Sequence, residues 1–293
     1  MGILYQQTVN GAPAPLSLAA AMHPMLNIAV SAARAAGSII VRYLDRVDTL
    51  DVASKHLNEF VTKVDQEAEA IIISEIHKAY PHHGILGEES GASGGGEYRW
   101  IIDPLDGTTN FLHRFPQFCV SIAVEHRGRL EQGVVFDPLR QELFTASRGA
   151  GARLDERRIR VSRQSTLEGS LLGTGFPFRG AYDLDTYLET MRALVPRSAG
   201  VRRAGAAALD LAYVAAGRLD GFWEFGLEPW DMAAGVLLIR EAGGLVTDAD
   251  GDEHYMESGN IVTGTPKVLR ELVKVIKPIR AARGRHSRPE LPA

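Results

Sequence analysis

A mixed α/β (α+β) fold is predicted by three patterns in the 293-residue chain. Two amphipathic helical stretches fill most of the segment from Pro24 to Pro81. An antiparallel run of strands spans Phe118 to Ala146. From Ser170 onward, short apolar strands alternate with helices.

Taken in order, Pro24 suits the first turn of a helix, and Leu26, Val30, Ala33, Gly37, Ile40 and Leu44 follow at helical spacing. A second helix begins near Thr62, with Val64, Ala68, Ile71, Ile72, Ile76 and Ala79 as its apolar positions, and Pro81 stops it. Lys55 falls in the loop before it and reads as a mobile lid contact or a solvated lysine. Ser93-Gly94-Gly95-Gly96 is a flexible loop before a strand leading to Asp103. A meander follows: Phe118 to Glu125, a turn at Arg127-Gly128, Gln132 to Asp137, a turn at Pro138-Leu139, then Glu142 to Ala146. In the second half, Ser170 to Thr174, Gly221 to Phe225, Leu245 to Asp248 and Asn260 to Thr263 are strands. Leu184 to Leu194, Ala206 to Ala216, Asp231 to Ala242 and Pro266 to Lys277 are helices, with Gly243-Gly244 past the end of the third. The expected organisation is a disordered leader over 1–21, native or added, an N-terminal α+β half over 22–165, a C-terminal α/β half over 166–277, and a basic disordered tail over 278–293. The two halves are expected to share one continuous core.

Composition narrows the function. With 45% hydrophobic residues the chain can bury a sizeable core, and a formal charge of −4 gives no overall basic field to recruit nucleic acid. The one cysteine, Cys119, lies in an apolar alternation and reads as a buried thiol, which fits a cytoplasmic setting. No apolar run approaches the ~20 residues that span a bilayer, and Met1 to Ala21 carries no Lys or Arg to open a secretory signal.

The chemistry concentrates in Trp100-Ile101-Ile102-Asp103-Pro104-Leu105-Asp106-Gly107-Thr108-Thr109-Asn110-Phe111. An apolar strand ends in two carboxylates, a glycine and two hydroxyls. Asp103 and Asp106 are hard oxygen donors suited to Mg²⁺. Gly107 permits a close backbone approach, and Thr108 and Thr109 open a helix whose free N–H groups face an anion. Taken alone, Asp-Gly is also an ordinary turn and Thr an ordinary cap. Two further segments add to the first: Gly87-Glu88-Glu89-Ser90 after Ile85-Leu86, and Glu228-Pro229-Trp230-Asp231, which opens a helix ending in Glu241-Ala242-Gly243-Gly244. His82, His83 and His113 lack a paired ligand at metal-binding spacing. Gly173-Thr174-Gly175 lacks the Gly-Lys-Ser/Thr of a phosphate-binding loop.

These three segments, in this order and spacing, resemble the inositol monophosphatase family of Mg²⁺-dependent, lithium-sensitive phosphatases, in its bacterial branch. The resemblance runs from about Met22 to about Lys277. It implies a layered α-β-α-β-α sandwich and the hydrolysis of inositol 1-phosphate or a similar small phosphorylated polyol, with two to three Mg²⁺ ions per site. It also implies a homodimer, and a rival or second role as an accessory factor that joins RNA polymerase in antitermination of ribosomal RNA synthesis. Phosphatases of fructose bisphosphate, 3′-phosphoadenosine nucleotides and histidinol phosphate share the same scaffold.

The resemblance also implies a division of labour. Glu88, Asp103 and the Leu105 carbonyl would hold the first metal. Asp103, Asp106 and Asp231 would hold the second, and Glu88 would help a third. Thr108 would orient the attacking water, with Asp65 on its hydroxyl as a proton relay, and the N–H groups of Gly107 and Thr108 would grip phosphate. Substrate contacts would come from Glu224, Arg202, Gly205, Ala206 and Ala207, with Asp106 and Asp231. Ordinary accounts stand beside several of these. Thr62 to Asp65 fits a capping box, Asp231 a helix cap, Glu224 an exposed strand acid, and Arg202 a surface arginine at a subunit contact.

Overall fold

A computed structural model describes residues 22–47, 52–56, 59–177 and 184–283. The expectations for the leader over 1–21 and for the last ten residues, 284–293, lie outside the described residues.

The first helix, α1 (Pro24–Leu44), starts at a proline, as such helices favour. A hairpin of β1 (Val52–His56) and β2 (Glu59–Thr62) follows, so Lys55 sits in a strand where the sequence pattern suggests a loop. Next come α2 (Lys63–Ala79), β3 (Gly84–Gly87), β4 (Gly91–Ser93), β5 (Tyr98–Asp106) and the short α3 (Thr108–Leu112). The meander is β6 (Cys119–His126), β7 (Arg129–Asp137) and β8 (Glu142–Ser147). It extends beyond the sequence pattern into β9 (Gly151–Leu154) and β10 (Arg157–Arg158). These strands form an eight-stranded sheet in the order β10-β9-β8-β7-β6-β5-β3-β4.

The second half holds β11 (Leu171–Thr174), α4 (Leu184–Leu194), β12 (Gly200–Arg202), α5 (Ala207–Ala215), β13 (Gly221–Glu224), α6 (Pro229–Glu241), β14 (Leu245–Thr247), α7 (Tyr255–Ser258), β15 (Ile261–Gly264) and α8 (Pro266–Arg283). Its five-stranded sheet runs β12-β11-β13-β15-β14, with β11 parallel to both of its neighbours.

Strand alternation explains the layering. Ile102, Val120, Ile122, Val124, Val134 and Phe136 face α1 and α2, while Ile101, Cys119, Ala123 and Val135 face the opposite way, onto α5 and α6. Phe222 and Ile261 of the second sheet meet α5 and α6 from the far side, and Leu172, Trp223 and Val262 turn outward to α4 and α8. The result is the expected α-β-α-β-α sandwich, with α5 and α6 as a middle layer that both sheets bury. Small residues make that layer thin: Ala207, Ala208, Ala212 and Ala215 on α5, with Ala233, Ala234 and Gly235 on α6.

Two expectations need correction. By length and composition α1 is apolar enough to cross a bilayer once its alanines are counted. It packs instead on α2, β6 and β7, burying Leu26, Ala29, Ala32, Ala33, Ala36, Gly37 and Ile40, while Val30 and Leu44 are only half-buried. At the other end, the sequence pattern stops the last helix at Lys277, yet α8 continues through Pro278 to Arg283. Proline forfeits one intrahelical bond, and the last turns are held from outside. Lys277 Nζ donates to the Asp250 carbonyl at 2.7 Å, and Arg280 pairs with the Asp250 carboxylate at 3.5 Å beneath the Phe225 ring. Arg280→Ala is expected to cost about 1 kcal/mol in denaturant unfolding and to speed amide exchange in the turn after Pro278.

Candidate metal and phosphate site

The site forms where β5 ends against the middle layer. β5 does not stop at Asp103, where the apolar run ends; it continues to Asp106, with a register irregularity between the two aspartates that leaves both buried. Gly107 then turns the chain with φ 93°, a left-handed conformation that favours glycine, and α3 begins at Thr108. Asn110 pins this turn: its Nδ2 donates to the nearby Gln117 carbonyl (2.7 Å) and, in the second half, to those of Ala204 (2.9 Å) and Gly205 (3.1 Å).

Asp106 reaches across the halves as well. The Ala207 and Ala208 N–H groups donate to its two oxygens at 3.2 and 2.8 Å, so it caps α5, whose own Ala206 offers no capping side chain. The buried Cys119 thiol donates to it at 3.6 Å. Asp231 enters at the start of α6, where its carboxylate accepts from Glu228 N–H at 2.7 Å in a capping box. Glu88 lies in the tight turn between β3 and β4, with its N–H donating to the Ile102 carbonyl at 3.1 Å.

These four acids converge. Burial raises Asp103 well above the ordinary carboxylate range, and the charges of Glu88, Asp106 and Asp231 raise it further, as does a side-chain hydrogen bond with Glu88. Asp106 is pushed up to about 7, by burial first and by Asp231 second. The four are close enough to disturb one another, yet among the described residues no three His, Cys, Asp or Glu donors stand in ligating geometry. Three of the four already hold backbone donors: Asp103 Oδ1 accepts from Leu105 N–H at 3.0 Å, and Asp106 and Asp231 accept from the helix starts just described. Three buried acids and the half-buried Glu88, hard oxygen donors of like charge in the segment that also carries the Leu105 carbonyl, are a donor set that fits a divalent cation such as Mg²⁺.

Asp65 performs both tasks that the sequence sets side by side. One oxygen completes the capping box, accepting from Thr62 N–H at 2.8 Å and Thr62 Oγ1 at 2.6 Å; the other accepts from Thr108 Oγ1 at 2.9 Å. Thr108 also contacts the Leu105 carbonyl at 3.1 Å. Burial raises the Asp65 pKa, and these hydrogen bonds partly oppose that.

Asp106 and Asp231 also line a pocket, together with Ala206, Ala207, Arg203, Asp210 and Glu224. Glu224 is therefore a pocket acid, and burial raises its pKa well above normal. Arg202 does not line this pocket; the neighbouring Arg203 does, its guanidinium 4.8 Å from the Phe176 ring. Arg202 is exposed at the end of β12, an edge strand, and Arg203 follows just past it. Asp210 escapes sequence reading because it sits in an otherwise apolar run, in the first turn of α5; at 2% exposure it is the most deeply buried acid lining the pocket. His83 stacks between Tyr80 and Tyr98, at 4.7 and 4.9 Å, and accepts from Trp100 Nε1 at 3.1 Å.

A five-layer α/β protein with an acidic donor cluster opening on a polar pocket is the class that fold and site define. Residues 21–281 match the family model described as "Inositol monophosphatase family", and the chain belongs to that family. It is 57% identical over 263 residues to "Nus factor SuhB" of Pseudomonas aeruginosa, covering 88% of this chain and 97% of the relative. The crystal structure of extragenic suppressor protein suhB from Bartonella henselae matches with a TM-score of 0.85 at 46% identity, covering 87% of this chain and 99% of that one. The structure of inositol monophosphatase from Anabaena matches with a TM-score of 0.77 at 40% identity, covering 87% and 95%.

The raised acids set a sign for pH. A carboxyl whose folded pKa lies above its unfolded value binds its proton better in the fold, so stability is lost as pH rises from the ordinary carboxylate range through the folded pKa. In EDTA, the Tm is expected to fall as pH rises through about 7, the value of Asp106. Added Mg²⁺ is expected to raise Tm more at pH 8 than at pH 5, read by calorimetry.

Proposed function

We propose that this chain hydrolyses a small phosphate monoester, inositol 1-phosphate or a close polyol phosphate, with Mg²⁺ held by Glu88, Asp103, Leu105, Asp106 and Asp231. The observation that carries this reading is the convergence of four acids beside a Thr108 hydroxyl already bonded to Asp65 at 2.9 Å. Mg²⁺, when bound, neutralises phosphate charge and makes water a better nucleophile near neutral pH. The chain does the rest. With its proton committed to Asp65, the Thr108 oxygen presents a lone pair to a water hydrogen and so orients that water. As the water attacks phosphorus and the ester P–O bond breaks, the water's proton passes to Thr108 and the Thr108 proton to Asp65, whose raised pKa suits it to receive one, while the departing alkoxide takes its proton from a solvent water. Gly107 and Thr108 offer backbone N–H groups to the phosphate oxygens. Glu224 and Asp210, which line the pocket, accept hydrogen bonds from polyol hydroxyls.

A phosphate-release panel of inositol, sugar, nucleotide and histidinol phosphates, with and without Mg²⁺, tests the assignment. Inositol 1-phosphate is expected to give the highest kcat/KM; a nucleotide bisphosphate in first place would overturn it. Asp210→Asn is expected to raise KM for a polyol phosphate several-fold while leaving p-nitrophenyl phosphate, which has no polyol, within about twofold.

A second role is supported by the name of the P. aeruginosa relative. In this reading the chain is also a Nus factor that joins RNA polymerase in antitermination, with the exposed Arg202 edge as a contact. A cytoplasmic location, a homodimer and lithium inhibition belong to the same proposal. Asp231→Asn is expected to lower hydrolysis at least about 100-fold, since outer-shell partners alone cost up to that much, and to leave capture of the polymerase complex intact. Unchanged hydrolysis would contradict the metal site.

A further inference from the structure

Glu69 on α2 has no part in the scheme above, yet it is 3% exposed and lies against the turn that carries Glu88. Its two oxygens accept from two successive backbone donors, Glu89 N–H at 2.9 Å and Ser90 N–H at 2.7 Å. A buried carboxylate is costly unless it is hydrogen-bonded, and charge-assisted bonds to amides are of the stronger kind. The fit extends to Gly87. A Cβ built there would lie 2.5 Å from one Glu69 oxygen and 2.8 Å from the other, so the strand can approach the carboxylate only because Gly87 has no side chain.

The turn is therefore gripped from both sides. Glu88 N–H donates to the Ile102 carbonyl on β5, and the two following amides donate to Glu69 on α2. Between these anchors the Glu88 carboxyl is left to meet Asp103. Asp65 lies one helical turn before Glu69, on the same side of α2, and holds Thr108. One rigid helix thus sets both the Glu88 turn and the Thr108 hydroxyl.

We infer that Glu69 is a positioning residue for divalent-cation binding, fixing the Glu88 arm through the amides of Glu89 and Ser90; this rests on the metal reading proposed above. Glu69→Gln keeps the shape of the side chain but turns an NH₂ group toward one of the two N–H donors. The full chain and this variant are titrated with Mn²⁺ by electron paramagnetic resonance, with the Mg²⁺ dependence of phosphate release followed in parallel. The expected result is Mn²⁺ affinity weaker by at least about tenfold, the effect of losing an outer-shell partner. Near-ultraviolet circular dichroism is expected to be unchanged, and kcat to recover at saturating Mg²⁺. A folded Glu69→Gln with wild-type Mn²⁺ affinity overturns the inference while leaving the metal reading intact. Wild-type protein that binds no Mn²⁺ overturns both, so the two failures are distinguishable. Gly87→Ala presses on the same carboxylate from the opposite side and must weaken Mn²⁺ binding likewise. Independently of any variant, the Glu89 and Ser90 amides must exchange slowly in the metal-free wild type. Exchange at the rate of open loop amides overturns the inference.

Discussion

Four acids from three separate parts of the chain, three of them buried and Glu88 half-buried, are crowded together, and their mutual repulsion is the constraint that the surrounding structure has to meet. Each is restrained by a different device. Asp103 is fixed within β5, Asp106 by the start of α5, Asp231 by its own capping box, and Glu88 by a turn clamped between a strand and a helix. Backbone N–H groups bond to carboxylate oxygens of Asp103, Asp106 and Asp231, and such bonds bring no full countercharge, so the donor set keeps its attraction for a cation.

Helix starts do much of this work. An unsatisfied N-terminal N–H group needs an acceptor, and α2, α5 and α6 each find one in a carboxylate of the site. Asp65 and Asp231 cap their own helices, while Asp106 caps a helix that begins 101 residues later. Cap and candidate function are thus the same atoms in two roles. This explains why local sequence reading sees only half of each: Thr62 to Asp65 spells a capping box, and nothing in those four residues reveals that the second Asp65 oxygen meets Thr108.

Periodic elements and contiguous motifs were legible in advance. The meander, Leu184 to Leu194 and the strand into Asp103 follow from alternation and spacing, and the family follows from three segments in order. Less legible was whatever depends on distant partners. The continuation of α8 past Pro278 depends on Asp250 and Phe225, and no local rule reports that. Choosing between Arg202 and Arg203 requires knowing which of two adjacent arginines, one ending an edge strand and one just past it, the folded chain brings to the pocket. Asp210 and Glu69 look like routine helix residues until β13 and the turn after β3 are folded against them. Very short strands such as β3, β4 and β10 carry too few residues to display a period.

The thin middle layer of α5 and α6 contributes to both sheets at once, and its alanines and glycine leave no spare surface on either side. Neither half can therefore be inherited, exchanged or grafted as a module. A recombination crossover near Ser165 would deliver a sheet without the helices that cover it, so diversification of such a protein has to proceed through substitutions around the pocket, with the architecture passed on whole.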